Sequence, residues 1–203
     1  GVAVVFTPAP DEMYPAGEVA GGVTTVAVSK LGDALCGRSR PTHFAGVCTV
    51  VAKLLNLVQP DVLYLGQKDF QQAAILKQMI VDLDFPVRVN VCPIVREASG
   101  LALSSRNVVL DEKIRKNQAP QLFRILEHLR EKILESSTSV AQLRELAVGF
   151  LAENAPGFRL DYLEFVHPET LESTANIDSN VLVAIAGRFG STRLIDNVLV
   201  RRA

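Results

Sequence analysis

Apolar positions recur along this chain in two alternating rhythms. Val2 to Phe6, Val23 to Val28 and Val62 to Leu65 are short apolar, mostly β-branched runs, and Val87, Val89 and Val91 alternate with polar neighbours. These patterns predict strands, the continuous runs being of the kind buried on both faces of a parallel sheet. Between them the spacing turns helical. From His43 to Gln59 the apolar residues Phe44, Val47, Val50, Val51, Leu54, Leu55 and Val58 predict a well-buried helix that Pro60 ends. From about Asp69 to Leu83, Ile75, Leu76, Met79, Ile80 and Leu83 form the inner side of a second helix. Strands alternating with helices of this length predict parallel βαβ units with right-handed crossovers.

The second half reads differently. Asp111 is placed to cap a helix running towards Leu134, with Ile114, Leu122, Ile125, Leu126, Leu129 and Ile133 inward and Pro120 as a bend or restart. Ser139 and Gln142 have capping-box spacing ahead of Leu143, Leu146, Ala147 and Phe150. Gly157 ends the helical part. Three strand-like runs follow, Leu160 to Val166, Val181 to Ala186 and Arg193 to Val200, which makes this a smaller α+β unit able to act as a lid. The expected division is 1–107 and 108–203.

In parallel sheets ligands sit beyond the carboxyl ends of the strands. Three segments occupy such places: the loop around Met13, Tyr14 and Pro15, the turn Gly66 to Asp69, and the stretch after Val91. At the Gly66 turn an apolar strand opens at once into a helix. A glycine there lets a ligand approach the backbone, the free N–H groups of the new helix favour anions, and Lys68 adds a mobile positive charge. A phosphate-bearing ligand is one reading of this turn; a solvated lysine at an ordinary helix start is the other. The later stretch, Arg96 to Asn107, reads REASGLALSSRN. Its glycine, paired hydroxyls, guanidinium and amide suit phosphate, which arginine grips through two parallel hydrogen bonds, although Ser-Ser-Arg-Asn also suits a solvated turn.

Composition narrows the classes. The chain has 203 residues, 48% hydrophobic and 21% charged, enough for a sizeable core. With 21 Lys and Arg against 22 Asp and Glu, it lacks the global basic field of a non-specific nucleic-acid binder. Its most apolar region, Val47 to Val58, is broken by Lys53 and Asn56, and no run approaches the roughly 20 apolar residues of a spanning helix. The opening GVAVVF has neither a basic flank nor a cleavage-site pattern, so it does not read as a secretory signal. Cys36, Cys48 and Cys92, widely spaced and odd in number, fit free thiols in a reducing compartment. A cytoplasmic location is the expectation.

Five blocks in one order carry a resemblance: MYP at Met13, SRPTHFAGVCTVVAKLLNLVQPD at Ser39, GQKDFQQ at Gly66, REASGLALSSRN at Arg96 and RLIDN at Arg193. Together they resemble the pantoate–β-alanine ligase family over essentially the whole chain. The resemblance implies an α/β fold: a Rossmann-like nucleotidyltransferase sheet followed by a smaller α+β domain, in a homodimer. It also implies a two-step reaction. Pantoate attacks the α-phosphorus of ATP, accompanied by Mg2+, to give pantoyl adenylate and pyrophosphate; the amine of β-alanine then displaces AMP. Lys68 would neutralise triphosphate charge, and Ser104, Ser105 and Arg106 would form a mobile phosphate loop. Gly66, Asp69, Val95 and Leu103 would lie against the nucleotide. Gln72 would bind pantoate, with Tyr14 and Arg40 bordering that site. No metal ligand is expected within this sequence.

Departures from the family pattern raise other expectations. Members carry, upstream of the strand expected at Val2, a further strand and a loop with two histidines of the HxGH kind, so this sequence reads as lacking that segment. His43, His128 and His167 stand in other contexts. Thr42 replaces the usual glycine, Gln67 a common glutamate and Ser99 a common aspartate. Two alternatives stand beside the ligase: another adenylate-forming enzyme of the same fold, or an inactive module that retains part of a nucleotide site and a dimer surface.

Overall fold

The computed structural model describes residues 1–15, 24–135 and 139–202. The chain divides into two compact units, one made of Gly1–Leu63 with Ala74–Arg88 and the other of Tyr64–Ala73 with Val89–Ala203.

The first unit is mainly helical. A single turn, α1 (Pro10–Met13), starts on a proline whose missing N–H is no loss at a helix entry. Two 3-10 turns, Leu31–Asp33 and Leu35–Ser39, lead to α2 (His43–Val58). That helix ends where the periodicity predicts: Gln59 adopts a left-handed conformation (φ 49°, ψ 57°), its N–H bonds Leu55 O at 2.9 Å, and Pro60 blocks continuation. The buried residues of α2 are Phe44, Cys48, Ala52 and Leu55. Val47, Val50, Val51 and Leu54 are half-buried and Val58 is exposed, so the innermost line falls on the small residues Cys48 and Ala52 rather than on the valines. Cys48 is fully enclosed, and burial pushes its thiol up from the ordinary value, partly opposed by a hydrogen bond with the Val28 backbone.

Among the described residues, neither of the two early strands expected from the sequence is formed. Val2 to Phe6 has no ladder partner among the described residues, and Val2, Val4 and Val5 are 81%, 80% and 72% exposed. Residues 24–28 are likewise outside any strand, while Val23 and the glycines 17, 21 and 22 lie outside the described residues. A β-branched run supplies strand propensity, but a strand exists only where a neighbour takes up its N–H and C=O groups.

β1 (Val62–Gly66) and β2 (Arg88–Cys92) pair, joined through α3 (Phe70–Asp82) as a βαβ unit. In α3, Ile75, Leu76, Met79 and Ile80 are buried as their spacing predicts; Leu83 falls beyond the helix and is 51% exposed.

The second unit is built on an antiparallel meander of β3 (Phe158–Val166), β4 (Val181–Phe189) and β5 (Thr192–Val200), with β4 in the middle. Every position of β4 except Arg188 is buried, which explains why VLVAIAGRF is apolar continuously instead of alternately. Val181, Val183, Ile185 and Phe189 share a core with Leu122, Ile125, Leu126, Leu129 and Ile133 of α4 (Gln121–Glu135) and Val140, Leu143, Ala147 and Leu151 of α5 (Val140–Asn154). Asp111 Oδ1 accepts from the N–H groups of Lys113 and Ile114 at 2.9 and 3.3 Å, capping a wide π-type turn over Ile114–Gln118; Pro120 then forces the restart as α4. Ser139 and Gln142 form the reciprocal capping box at the start of α5.

Gly187 of β4, paired with Leu160 of β3, has no room for a side chain. A Cβ there would collide with Phe158 Cζ and lie 2.5 Å from Arg159 O, beside the irregularity in β3 between Leu160 and Tyr162.

Candidate active site

The site residues of the second unit come from three places in the chain. The first is the end of β1. Gly66 passes directly into a 3-10 turn, Gln67–Asp69, that leads into α3. Nothing lies within 4 Å of the position a Cβ would occupy on Gly66, so the backbone there is open to an approaching group. The Lys68 side chain is mostly covered, and its Nζ lies 3.8 Å from Asp69 Oδ2.

The second place is the segment after β2. Glu97 N bonds Leu101 O at 2.8 Å, Leu103 N bonds Val95 O at 2.9 Å, and Arg96 bridges to Ala102. These bonds make a small hairpin whose turn is Gly100, at φ 95°, a conformation that suits glycine. Arg96 is held on three sides. Its Nη1 donates to Gly100 O at 3.1 Å, its guanidinium stacks 3.8 Å over the Phe123 ring, and it pairs with Asp196. The hairpin runs into a 3-10 turn, Ser105–Val109, in which Ser104 Oγ accepts from Arg106 N at 3.2 Å.

Asn107 secures the far side of that turn. Its Nδ2 donates to Glu97 Oε1 and to Ala102 O, both at 3.0 Å. Glu97 Oε1 also accepts from Arg115 Nη2 at 3.0 Å. The Asn107 bond, with smaller help from Arg115, holds the Glu97 carboxyl below its usual range against the opposing effect of burial. Asn107 Oδ1 is the buried side-chain polar atom without a hydrogen-bond partner among the described residues.

The third place is β5. Arg96 Nη1 and Nη2 bond the two carboxylate oxygens of Asp196 at 2.6 and 2.9 Å, a bidentate pair in which Asp196 is 4% exposed. Burial pushes the Asp196 carboxyl above its ordinary value; the Arg96 bonds and charge, the Asn197 N–H and the Lys68 charge all oppose that rise. Next to it, Asn197 Nδ2 donates to Gln67 O and Lys68 O, both at 3.0 Å, and its Oδ1 accepts from Gln67 Nε2 at 3.3 Å.

Lys68, Ser104 and Arg106 line one pocket with Arg193, Asp196 and the apolar floor of Leu101, Ala102 and Leu122. Arg193 is fixed by a 2.8 Å bond from Nε to Asp161 Oδ2. Two guanidinium groups, an ammonium and a hydroxyl share this cleft with the Asp196 carboxylate, and the four donors are of the kind that suits an anion. Ser105 is exposed outside the pocket lining, as are Val95 and Leu103, whose apolar side chains stand 66% and 50% exposed on neighbouring arms of the hairpin. Asp69 is exposed at the start of α3 and Gln72 is half-buried one turn further on.

Tyr14 and Arg40 belong to the first unit. There Lys53 Nζ lies 5.8 Å from the centroid of the Tyr14 ring, and Arg40 is exposed, its N–H bonded to Gly37 O at 3.0 Å. His43 stacks against Phe44 at the entrance to α2, and His167 Nδ1 accepts from the backbone of Glu169 and Thr170.

Arg193, Asp196 and Asn197 carried no individual expectation. The signal that points to them is the RLIDN block: polar side chains at positions of a strand otherwise occupied by buried apolar residues. Asp196 and Asn197 are both buried, and buried polar residues require partners.

A family model described as Pantoate-beta-alanine ligase matches residues 1–199. The pantothenate synthetase of Desulfovibrio desulfuricans is 49% identical over 200 residues, 98% of this chain and 69% of the relative. That of Acetivibrio thermocellus is 46% identical over 200 residues, again 98% and 69%. The crystal structure of pantothenate synthetase from Thermus thermophilus superimposes with a TM-score of 0.88 at 45% identity, covering 98% of this chain and 70% of that one. A pantoate–β-alanine ligase from Francisella tularensis, complexed with β-γ ATP and β-alanine, gives 0.65 at 30% identity over 93% of this chain and 61% of its own.

Proposed function

This chain belongs to the pantoate–β-alanine ligase family, and we propose that it joins pantoate to β-alanine at the expense of ATP, with Lys68, Ser104 and Arg106 holding the phosphates. The observation that carries the proposal is the pocket itself: three groups from two segments far apart in the sequence, each suited to phosphate, line one cleft.

Adenylyl transfer needs positioning and charge neutralisation more than a covalent nucleophile. In the first step a carboxylate oxygen of pantoate attacks the α-phosphorus. The bond from that phosphorus to the bridging oxygen breaks, and pyrophosphate leaves with the electron pair. Lys68 and Arg106 neutralise the charge that builds on the leaving group, and Ser104 donates its hydroxyl. In the second step the amine of β-alanine attacks the acyl carbon, loses a proton, and AMP leaves. Gly66 and Asp69 form the approach to the nucleotide, and the exposed Val95 and Leu103 side chains give an apolar shelf for the adenine ring. Ser105 belongs to the same loop. Gln72 contacts pantoate, with Tyr14 and Arg40 assigned to the same substrate, and residues 108–203 serve as the covering domain.

Among the described residues, no three or more His, Cys, Asp or Glu side chains are grouped as metal ligands. Magnesium would arrive with the triphosphate of the incoming ATP and supply charge neutralisation there. The balanced charge supports small-molecule over nucleic-acid partners, and among the described residues no helix is long and apolar enough to cross a membrane. A cytoplasmic homodimer completes the proposal; sedimentation at several concentrations tests the dimer.

The direct test is pantoate-dependent exchange between ATP and labelled pyrophosphate. Lys68→Ala is expected to lower the exchange rate by about 10²-fold or more, the effect of removing one preorganised donor at a developing charge. Exchange at the unsubstituted rate would overturn the role of Lys68.

A further inference from the structure

Two adjacent residues of β5, one from each face of the strand, hold the two segments assigned to the phosphates. Asn197 Nδ2 is shared between the carbonyls of Gln67 and Lys68, both at 3.0 Å, while Asp196 takes both guanidinium nitrogens of Arg96 at the base of the hairpin that leads to Ser104 and Arg106. Both side chains are 4% exposed, and Gln67 Nε2 closes the ring onto Asn197 Oδ1 at 3.3 Å. A strand is a rigid support: consecutive residues keep a fixed spacing and point to opposite faces. Whatever sits on Asp196 and on Asn197 is held at a set separation.

We propose that Asp196 and Asn197 are a positioning pair that sets the distance between the Lys68 ammonium and the Ser104–Arg106 turn, and so the fit of the pocket to the phosphates. Neither needs to touch substrate. Asn197 acts on Lys68 through the backbone carbonyls, which fixes where the side chain starts from; Asp196 acts on the loop through Arg96. The chemistry requires an amide at 197. A carboxylate there would face two carbonyl oxygens with no donor, and an apolar residue would leave both carbonyls without the bonds Nδ2 supplies.

The inference rests on Lys68 as a phosphate ligand, and its test separates the two. Binding of ATP with magnesium to the 203-residue chain is measured by calorimetry for the unsubstituted protein, Lys68→Ala, Asn197→Ala and the double variant. A charge-assisted bond lost with Lys68 weakens ATP about tenfold or more. Asn197→Ala is expected to weaken it about tenfold while leaving pantoate affinity unchanged, and the double variant should match Lys68→Ala within about twofold, since residues acting through one contact are not additive. In the exchange assay the same selectivity appears as a raised KM for ATP with an unchanged KM for pantoate.

Losses that multiply in the double variant, or unchanged ATP affinity in Asn197→Ala, overturn the positioning role. An unsubstituted chain that does not bind ATP, or a Lys68→Ala variant that binds it normally, removes the underlying assignment and the inference with it. Should Asn197→Ala fail to fold, Gln67→Ala removes only the amide contact to Asn197 Oδ1. Its expected loss is about threefold in ATP affinity, again absent in the Lys68→Ala background; multiplication with Lys68→Ala overturns the role.

Discussion

Replacing Arg96 by alanine tests how the second unit tolerates a buried charge. The substitution deletes two bonds to Asp196, at 2.6 and 2.9 Å, a third to Gly100 O, and the stacking on Phe123. Among the described residues, it leaves Asp196, 4% exposed, with the Asn197 N–H at 2.8 Å and the more distant Lys68 charge. Breaking a buried pair by removing one partner costs about 3–5 kcal/mol, because the remaining charge is stranded. The carboxyl has an escape, however: it can take up a proton.

Its pKa is already raised above the ordinary 3.8 by burial, and without Arg96 it rises further. A folded-state pKa above the unfolded one gives stability that is complete below the unfolded value and is lost as pH climbs through the folded value. The penalty of Arg96→Ala should therefore be larger at neutral pH than in acid, shrinking as pH falls through the raised folded-state value. Urea unfolding followed by circular dichroism, at matched slopes, measures this on the transition of the unit containing residues 89–203. A second variant, Arg96→Met with Asp196→Leu, removes both charges and should recover most of the loss. A penalty below about 1 kcal/mol at pH 8, when about 3–5 is expected for a stranded buried charge, would refute the reasoning. So would a penalty that grew as pH fell.

Gly187→Ala should destabilise the meander by about 1–3 kcal/mol or more, because its Cβ would lie 2.5 Å from the Arg159 carbonyl oxygen and collide with the Phe158 ring; an unchanged melting temperature would contradict that packing. Glu97, whose carboxyl is held below its ordinary 4.5 chiefly by Asn107, contributes stability that is present above that value and lost as pH falls through the lower folded-state pKa. Stability measured from pH 3 to 7 should show this acid loss in the unsubstituted chain and a smaller one in Glu97→Gln. Cys48, fully enclosed and with its thiol pushed up by burial, should be the last of the three cysteines to react with iodoacetamide under native conditions and should react readily in urea. Mass spectrometry of the labelled peptides reads the order, and early labelling of Cys48 would contradict its burial.

Much of the fold was legible because its cues are local. The Ser139–Gln142 capping box, the Pro120 restart, the end of α2 at Gln59–Pro60 and the inner face of α3 depend on residues within one or two turns of each other. The three strands of the meander were placed within a few residues of their observed bounds for the same reason. Val2 to Phe6 has the same composition as a buried strand, yet its state depends on hydrogen-bond partners elsewhere, which no local pattern records. The buried line of α2 depends likewise on what approaches the helix, and small side chains proved more enclosed than the valines beside them.

The candidate site divides in the same way. Residue chemistry made Lys68, Ser104, Ser105 and Arg106 candidates for holding a phosphate, and the ordered blocks pointed to the family. The RLIDN block stood out as a string, but its letters did not say what Asp196 and Asn197 hold. Sequence alone established which side chains can bind an anion and which segments turn, since donor chemistry and short-range periodicity are properties of the residues themselves. That Lys68, Ser104 and Arg106 line one pocket, and that Asp196 and Asn197 hold the backbone and hairpin carrying them, came from the tertiary structure. Those bonds join positions far apart in the chain, and a buried carboxylate or amide finds its partner only when the folded core excludes the water that would otherwise serve as one.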